Sequence, residues 1–153
     1  MENERVTKIL VPTDGSPISL KAEDFAIKIA KAFNSELVFV HVLPTAVYLM
    51  PRSEQNKALE IRNWASPSSE DEKIAKIHLQ NALEKAEKAG VKSSASLYRT
   101  TFSVREALCT VAKDLGVHLI VIGTRGTSAR RVILGSVAAG VVTYAECPVL
   151  VAR

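Results

Sequence analysis

The feature that most constrains this chain is a set of short aliphatic, β-branched runs in which apolar residues do not alternate with polar ones. They are Lys8-Ile-Leu-Val11, Leu37-Val-Phe-Val-His-Val42, Leu119-Ile-Val-Ile122 and Val149-Leu-Val-Ala152. A strand covered on one face alternates, whereas a strand covered on both faces has no need to, so these runs read as the centre of a parallel sheet. Between them lie amphipathic helical stripes at 3.6-residue spacing, one through Ile18, Ala22, Phe25, Ala26, Ile29, Ala30 and Phe33, another through Val104, Ala107, Leu108, Val111, Ala112 and Leu115. Ser16 before Pro17 predicts an N-cap followed by the first helical position, and Ser103 with Glu106 predicts a capping box.

A third helix is expected from Ser69 to Ala89, with Ser69 and Glu72 as its capping box, Gly90 as its stop, and Ala75, Leu79, Ala82 and Ala86 on one face. Val91 to Tyr98 alternates weakly and carries many polar residues, which fits an edge strand. A last helix is expected from Ser136 to Ala145, weakened by about 1 kcal/mol by Gly140 relative to Ala. The order of these elements predicts an α/β domain: an open five-stranded parallel sheet with helices on both faces, Rossmann-like in architecture, with the last strand at the edge opposite Val91 to Tyr98.

A chain of 153 residues is long enough to bury about 70% of its unfolded surface without disulfides, and residues 1–153 read as one domain. Its 47% hydrophobic and 24% charged content is globular, and no apolar run approaches the roughly 18 residues of a membrane span. The polar start, Met1 to Arg5, lacks the pattern of a secretory signal, so a cytoplasmic protein is expected. Cys109 and Cys147 form no CxxC and have no partnering His; they read as buried small apolar residues rather than metal ligands or a redox pair. His41 reads as a satisfied core histidine, His78 as a member of a charged helix, and His118 as a partly buried hydrogen-bonding residue. Residues 44–68 interrupt the rhythm with Pro44, Pro51, Pro67, Tyr48, Met50 and Trp64, an irregular insertion suited to a lid or contact arm.

Charge is uneven: residues 1–89 hold 12 basic and 13 acidic side chains, residues 90–153 hold 8 and 3. The excess suggests an anionic partner, a nucleic acid or a small phosphorylated ligand. In an open parallel sheet ligands sit beyond the C-terminal strand ends where chain order reverses. Two loops there are informative. The first, Val11-Pro-Thr-Asp-Gly-Ser16, places Asp14 just before a helix N-terminus. The second runs from Gly123 to Ser136 and holds Gly123, Gly126, Gly135, Ser136 and the arginines Arg125, Arg130 and Arg131. Phosphate binding needs unobstructed backbone N–H groups, a helix N-terminus and a hydroxyl donor, all available here. Taken alone, Gly-x-x-Gly reads equally as a tight turn with no ligand, and the arginines equally as solvated loop charges.

The combination of Pro12-Thr-Asp14 after the first strand, His41-Val42, Leu119-Ile-Val-Ile-Gly123 with its glycine loop, and Cys147-Pro-Val-Leu-Val151 resembles the universal stress protein family over nearly the whole chain, failing only at 44–68. The resemblance implies a five-stranded nucleotide-binding fold of the adenine nucleotide alpha-hydrolase type. Some members bind ATP through a pattern of Gly, two residues, Gly, nine residues, Gly, then Ser or Thr. Here Gly123, Gly126 and Gly135-Ser136 match, but eight residues lie between the second and third glycines, so the loop is one residue short. The resemblance would set Val42 against the adenine, Asp14 near the ribose or a phosphate-bound metal, and Gly126, Ser136 and Val137 around the phosphates. Pro12, Thr13, Ile122, Gly123, Arg125 and Gly135 complete the expected site, with Mg or Mn held mainly by the phosphates.

No GxxxxGK[ST], SxxK, GxSxG or Cys-His arrangement is present, and Asp14 stands without the acidic cluster of a receiver domain. No catalytic residue is expected, and any ATP hydrolysis would be slow and incidental. Two functions stay open: a nucleotide-binding regulatory protein acting as a homodimer through its last strand, or a dimeric interaction scaffold that has lost nucleotide and whose protein partner is unknown. Nucleic-acid binding ranks third, because the arginines lack interleaved aromatic residues.

Overall fold

The structure, a computed structural model, describes residues 5–44, 69–124 and 134–153. Its elements in order are β1 (Lys8–Pro12), α1 (Pro17–Phe33), β2 (Glu36–Pro44), α2 (Ser69–Lys88), β3 (Ser93–Thr100), α3 (Val104–Asp114), β4 (Leu119–Gly123), α4 (Ser136–Tyr144) and β5 (Val149–Ala152). The strands form one parallel sheet in the order β3-β2-β1-β4-β5. Both edges are as the patterning predicts, the polar β3 at one and β5 at the other. Among the described residues, no helix is long and apolar enough to cross a membrane.

The lack of alternation in the central strands has the expected cause. Ile9, Val11, Leu37, Phe39 and Val121 pack against Ala22, Ala26 and Ala30 of α1 and Leu79, Ala82 and Ala86 of α2. Their neighbours Leu10, Val38, Val40, Ile120 and Ile122 point the other way, against Leu108, Val111 and Ala112 of α3 and Ala138 and Val141 of α4. Two helices therefore cover each face. Alanine dominates the first layer, which lets α1 and α2 lie close to the strands.

Local signals explain the boundaries. Ser16 is the N-cap of α1, its hydroxyl accepting from the Ser19 N–H, with Pro17 at the first helical position. The capping box of α3 is complete: Ser103 Oγ accepts from the Glu106 N–H at 3.2 Å, and the Glu106 carboxylate accepts from the Ser103 N–H at 3.1 Å. Gly90 follows α2 with φ +74°, the left-handed conformation that ends a helix.

Several expectations are corrected. Ser69 is the first helical residue of α2 rather than its cap, and Glu72 instead accepts from the Arg99 guanidinium on β3. Phe25 and Phe33 do not join the buried stripe of α1; they are 49% and 60% exposed, and Glu23 and Ile27 take the inward positions. Strand β3 begins and ends two residues later than the alternation suggests, and β2 runs on to Pro44, which pairs with Thr100. The rest of the insertion, 45–68, lies outside the described residues. Cys109 and Cys147 are half-buried at the margin of the α3–α4 layer, and burial pushes both thiols above their ordinary range. His118 is exposed, its Nδ1 3.4 Å from Thr7 Oγ1. In α4, Ala138, Gly140 and Val141 are buried within the chain, while Val142 and Tyr144 are exposed.

Candidate nucleotide site

The chain leaves β1 toward β2 and β3 on one side, then crosses back to β4 and β5 on the other, so order reverses between β1 and β4. There, beyond the C-terminal strand ends, lies a cavity of about 560 Å³, within the usual range for small-molecule sites. Pro12, Thr13, Asp14, Val42, Ile122, Gly123, Gly135, Ser136 and Val137 all line it. Nine of the eleven expected residues are thus brought together from four elements; Arg125 and Gly126 lie outside the described residues, as does most of the shortened loop.

One wall is apolar. Val40 and Val42 of β2, Ile122 of β4 and Val104 and Leu108 of α3 form it. The polar lining is built on helix starts. Gly135 is the N-cap of α4 and offers no side-chain cap, so the first-turn N–H groups keep their capacity to bind an anion. The loop leading there is tied at its base: the Gly135 N–H donates to Thr124 O at 2.8 Å, and the Thr124 N–H donates to Ala152 O at 2.9 Å.

Asp14 accepts from the Ser16 N–H at 2.9 Å across the turn into α1. Burial by itself would raise its carboxyl, but the hydrogen bonds from Ser16 and Ser19 and the nearby His41 outweigh it and hold the group below the ordinary carboxylate value. A charged oxygen pair is therefore fixed at the mouth of α1. Gly123 is glycine for a reason the motif does not reveal. A Cβ there would lie 3.0 Å from the Ile18 carbonyl oxygen, so the absence of a side chain lets the first turn of α1 approach β4.

Behind this wall is a network that the sequence reading missed. The Thr13 hydroxyl donates to Glu23, a carboxylate only 1% exposed, and Lys85 of α2 donates to the other oxygen of Glu23 at 2.8 Å and pairs with Asp24 at 3.0 Å. Burial opposes the charge on Lys85, but Glu23 and Asp24 more than compensate and raise its ammonium above the ordinary value. The available signal was a carboxylate at position 23, in step with Ser19, Ala26 and Ala30 on the inward stripe of an otherwise small-residue helix. His41 is also reassigned: it lines the cavity, and its Nδ1 is buried without a hydrogen-bond partner, so it is not a satisfied core residue.

A sequence profile described as the universal stress protein family matches residues 5–153. The chain belongs to the universal stress protein family. It is 38% identical to the universal stress protein YxiE of Bacillus subtilis over 95% of this chain and 98% of that one. The fold is similar to that of the universal stress protein UspA from Lactobacillus plantarum, with a TM-score of 0.78 and 25% identity over 99% of this chain and 100% of that chain. It is also similar to a universal stress protein solved in complex with cAMP, with a TM-score of 0.70 and 27% identity over 97% and 98% of the two chains. The five-stranded order and Rossmann-like layering of this universal stress protein therefore agree with its family.

Proposed function

We propose that this universal stress protein is a regulatory domain that binds ATP in the cavity between β1 and β4 and acts as a homodimer. The observation that carries the reading is the convergence, in one cavity, of apolar lining from β2, β4 and α3, an Asp14 carboxyl held below its ordinary value, and the N-terminus of α4 with no side-chain cap. In this reading Val42 and Ile122 take the adenine, Asp14 accepts from ribose hydroxyls, and Ser136 and Val137 offer N–H groups to the phosphates, with Gly126 and Arg125 of the loop joining them. The related protein in complex with cAMP supports an adenine ligand. In this reading Mg or Mn is carried mainly by the phosphates. Binding, not turnover, is the output, and occupancy would be read by a partner through the surface it orders.

The dimer reading rests on β5. It is an edge strand whose Val149, Leu150 and Val151 are only half-buried, and the neighbouring Val142 and Tyr144 of α4 are exposed. An apolar edge with unpaired backbone groups is a pairing template, and a two-fold partner strand satisfies it.

Thermal denaturation with and without ATP and magnesium tests the ligand. At a ligand concentration near 100 times Kd the stabilisation is about 2.7 kcal/mol, worth several degrees in Tm. Gly126→Val, which places a branched side chain in the glycine loop, is expected to abolish the shift. An unshifted Tm for the wild type at millimolar ATP would favour the ligand-independent scaffold.

A further inference from the structure

A histidine of the cavity wall is stacked on a second histidine from another element. The ring of His41 on β2 stacks on that of His78 on α2, with centroids 6.4 Å apart and planes 7° from parallel. Only His41 lines the cavity. His78 sits on the turn that carries Asp14: its ring fills the place where a Cβ on Gly15 would go, with Cε1 2.1 Å from that position, and Gly15 has φ +75°. A side chain at position 15 would displace the ring, so glycine is what permits α2 to seat on this turn. The same turn is closed by the hydrogen bond from the Ser16 N–H to Asp14.

We propose that the stacked pair His41 and His78 makes nucleotide occupancy of this cavity fall on acidification, by driving α2 off the Asp14–Gly15 turn. The proposal rests on the nucleotide reading above and adds its regulation. The first argument is geometric. A neutral imidazole can leave one nitrogen bare as an acceptor, and His41 Nδ1 is a bare buried nitrogen. Protonation would put an N–H there with no acceptor to receive it, a buried unsatisfied donor. The second is charge. A proton on His41 places charge against the stacked ring of His78, which opposes it, and the ring free to move is His78, since His41 is held in a central strand.

The groups around His41 do not cancel this. From the β1–α1 turn comes Asp14, which attracts the protonated ring and would be drawn away from a nucleotide in doing so. From α2 comes His78, which opposes it, while the Thr13 main chain favours the protonated form. On α1, Glu23 is engaged by Thr13 and Lys85, and on β3 the register partner of His41 is the uncharged Leu97. Burial is the largest influence and pushes the ring below the ordinary histidine value, so the neutral form holds the site at neutral pH.

The test is the Kd for cAMP, whose charge is constant over the interval, so that any pH effect belongs to the protein. Between about pH 7.5 and about pH 5.5, Kd is expected to rise several-fold, since one linked proton gives up to about tenfold per pH unit only below the free-protein midpoint, which lies under the ordinary histidine value. His78→Gln is expected to bind as the wild type does at the higher pH and to lose most of the rise. A Kd equal at both pH values, or a full rise persisting in His78→Gln, would overturn the proposal. Histidine ring NMR of the wild type gives an independent reading should the variant fail to fold. By reciprocity, saturating cAMP must lower the His41 titration midpoint, and a midpoint unmoved by cAMP would also overturn it. No binding of cAMP or ATP even at the higher pH would overturn the nucleotide reading itself, and this regulation with it.

Discussion

Replacing Glu23 tests whether the cavity floor depends on a buried charge. In Glu23→Ala the Thr13 hydroxyl, itself buried, loses its strongest acceptor and keeps only Ser19 Oγ at 3.3 Å. A buried polar group left without its partner costs about 1–3 kcal/mol. Loss of one side of a fully buried ion pair would cost about 3–5 kcal/mol, but Lys85 is 34% exposed and retains Asp24, so its ammonium can turn to water. The expected total is therefore about 2–3 kcal/mol, or roughly 5–10 °C in Tm for a domain of this size. Lys85→Met should behave differently. It leaves the buried Glu23 carboxylate without its cation, at a cost of about 3–5 kcal/mol. The double variant Glu23→Gln with Lys85→Met should recover much of the loss, because no buried charge remains unpaired. Urea denaturation of all three variants gives these values. A cost for Glu23→Ala below about 0.5 kcal/mol, typical of a surface substitution, would refute the claim that the network supports the cavity.

Gly123→Ala should destabilise by about 1–3 kcal/mol, since the added methyl meets the Ile18 main chain rather than a movable side chain; denaturation midpoints check this. Asp14→Asn should cost stability at neutral pH. Because the folded carboxyl titrates below the ordinary carboxylate value, its contribution is complete above that ordinary value and is lost as pH falls through the lowered one, so wild type and variant should converge in acid unfolding curves. Val151→Asp should turn a dimer into a monomer in sedimentation at micromolar concentration, and a dimer left undisturbed by it would put the interface elsewhere.

What could be read from the sequence follows physical lines. Strands buried on both faces announce themselves by continuous apolar runs, so the sheet and its two edges were accessible, and caps such as Ser16 and Ser103 are local chemistry that a short window contains. The cavity residues were accessible where a motif gathers them. The misses are of another kind. Phe25 and Phe33 satisfy the helical period yet face outward, because a periodic stripe does not say which side of it the sheet covers when alanines can approach more closely. Glu23, Lys85 and His78 act across elements far apart in the chain, and only the docking of α2 on α1 and on the Gly15 turn gives them partners. Likewise His41 looked like a core residue because the strand around it is apolar, while its depth beside an open cavity is a tertiary fact.

The central claim, that the cavity between β1 and β4 is an adenine nucleotide site, is tested most directly by equilibrium dialysis of the purified chain, first freed of any nucleotide by unfolding and refolding, against ATP with magnesium. The expected result is saturable binding of one nucleotide per chain, competed by cAMP and lost in Gly126→Val. No excess of nucleotide on the protein side at millimolar ATP, with the fold intact, would contradict it.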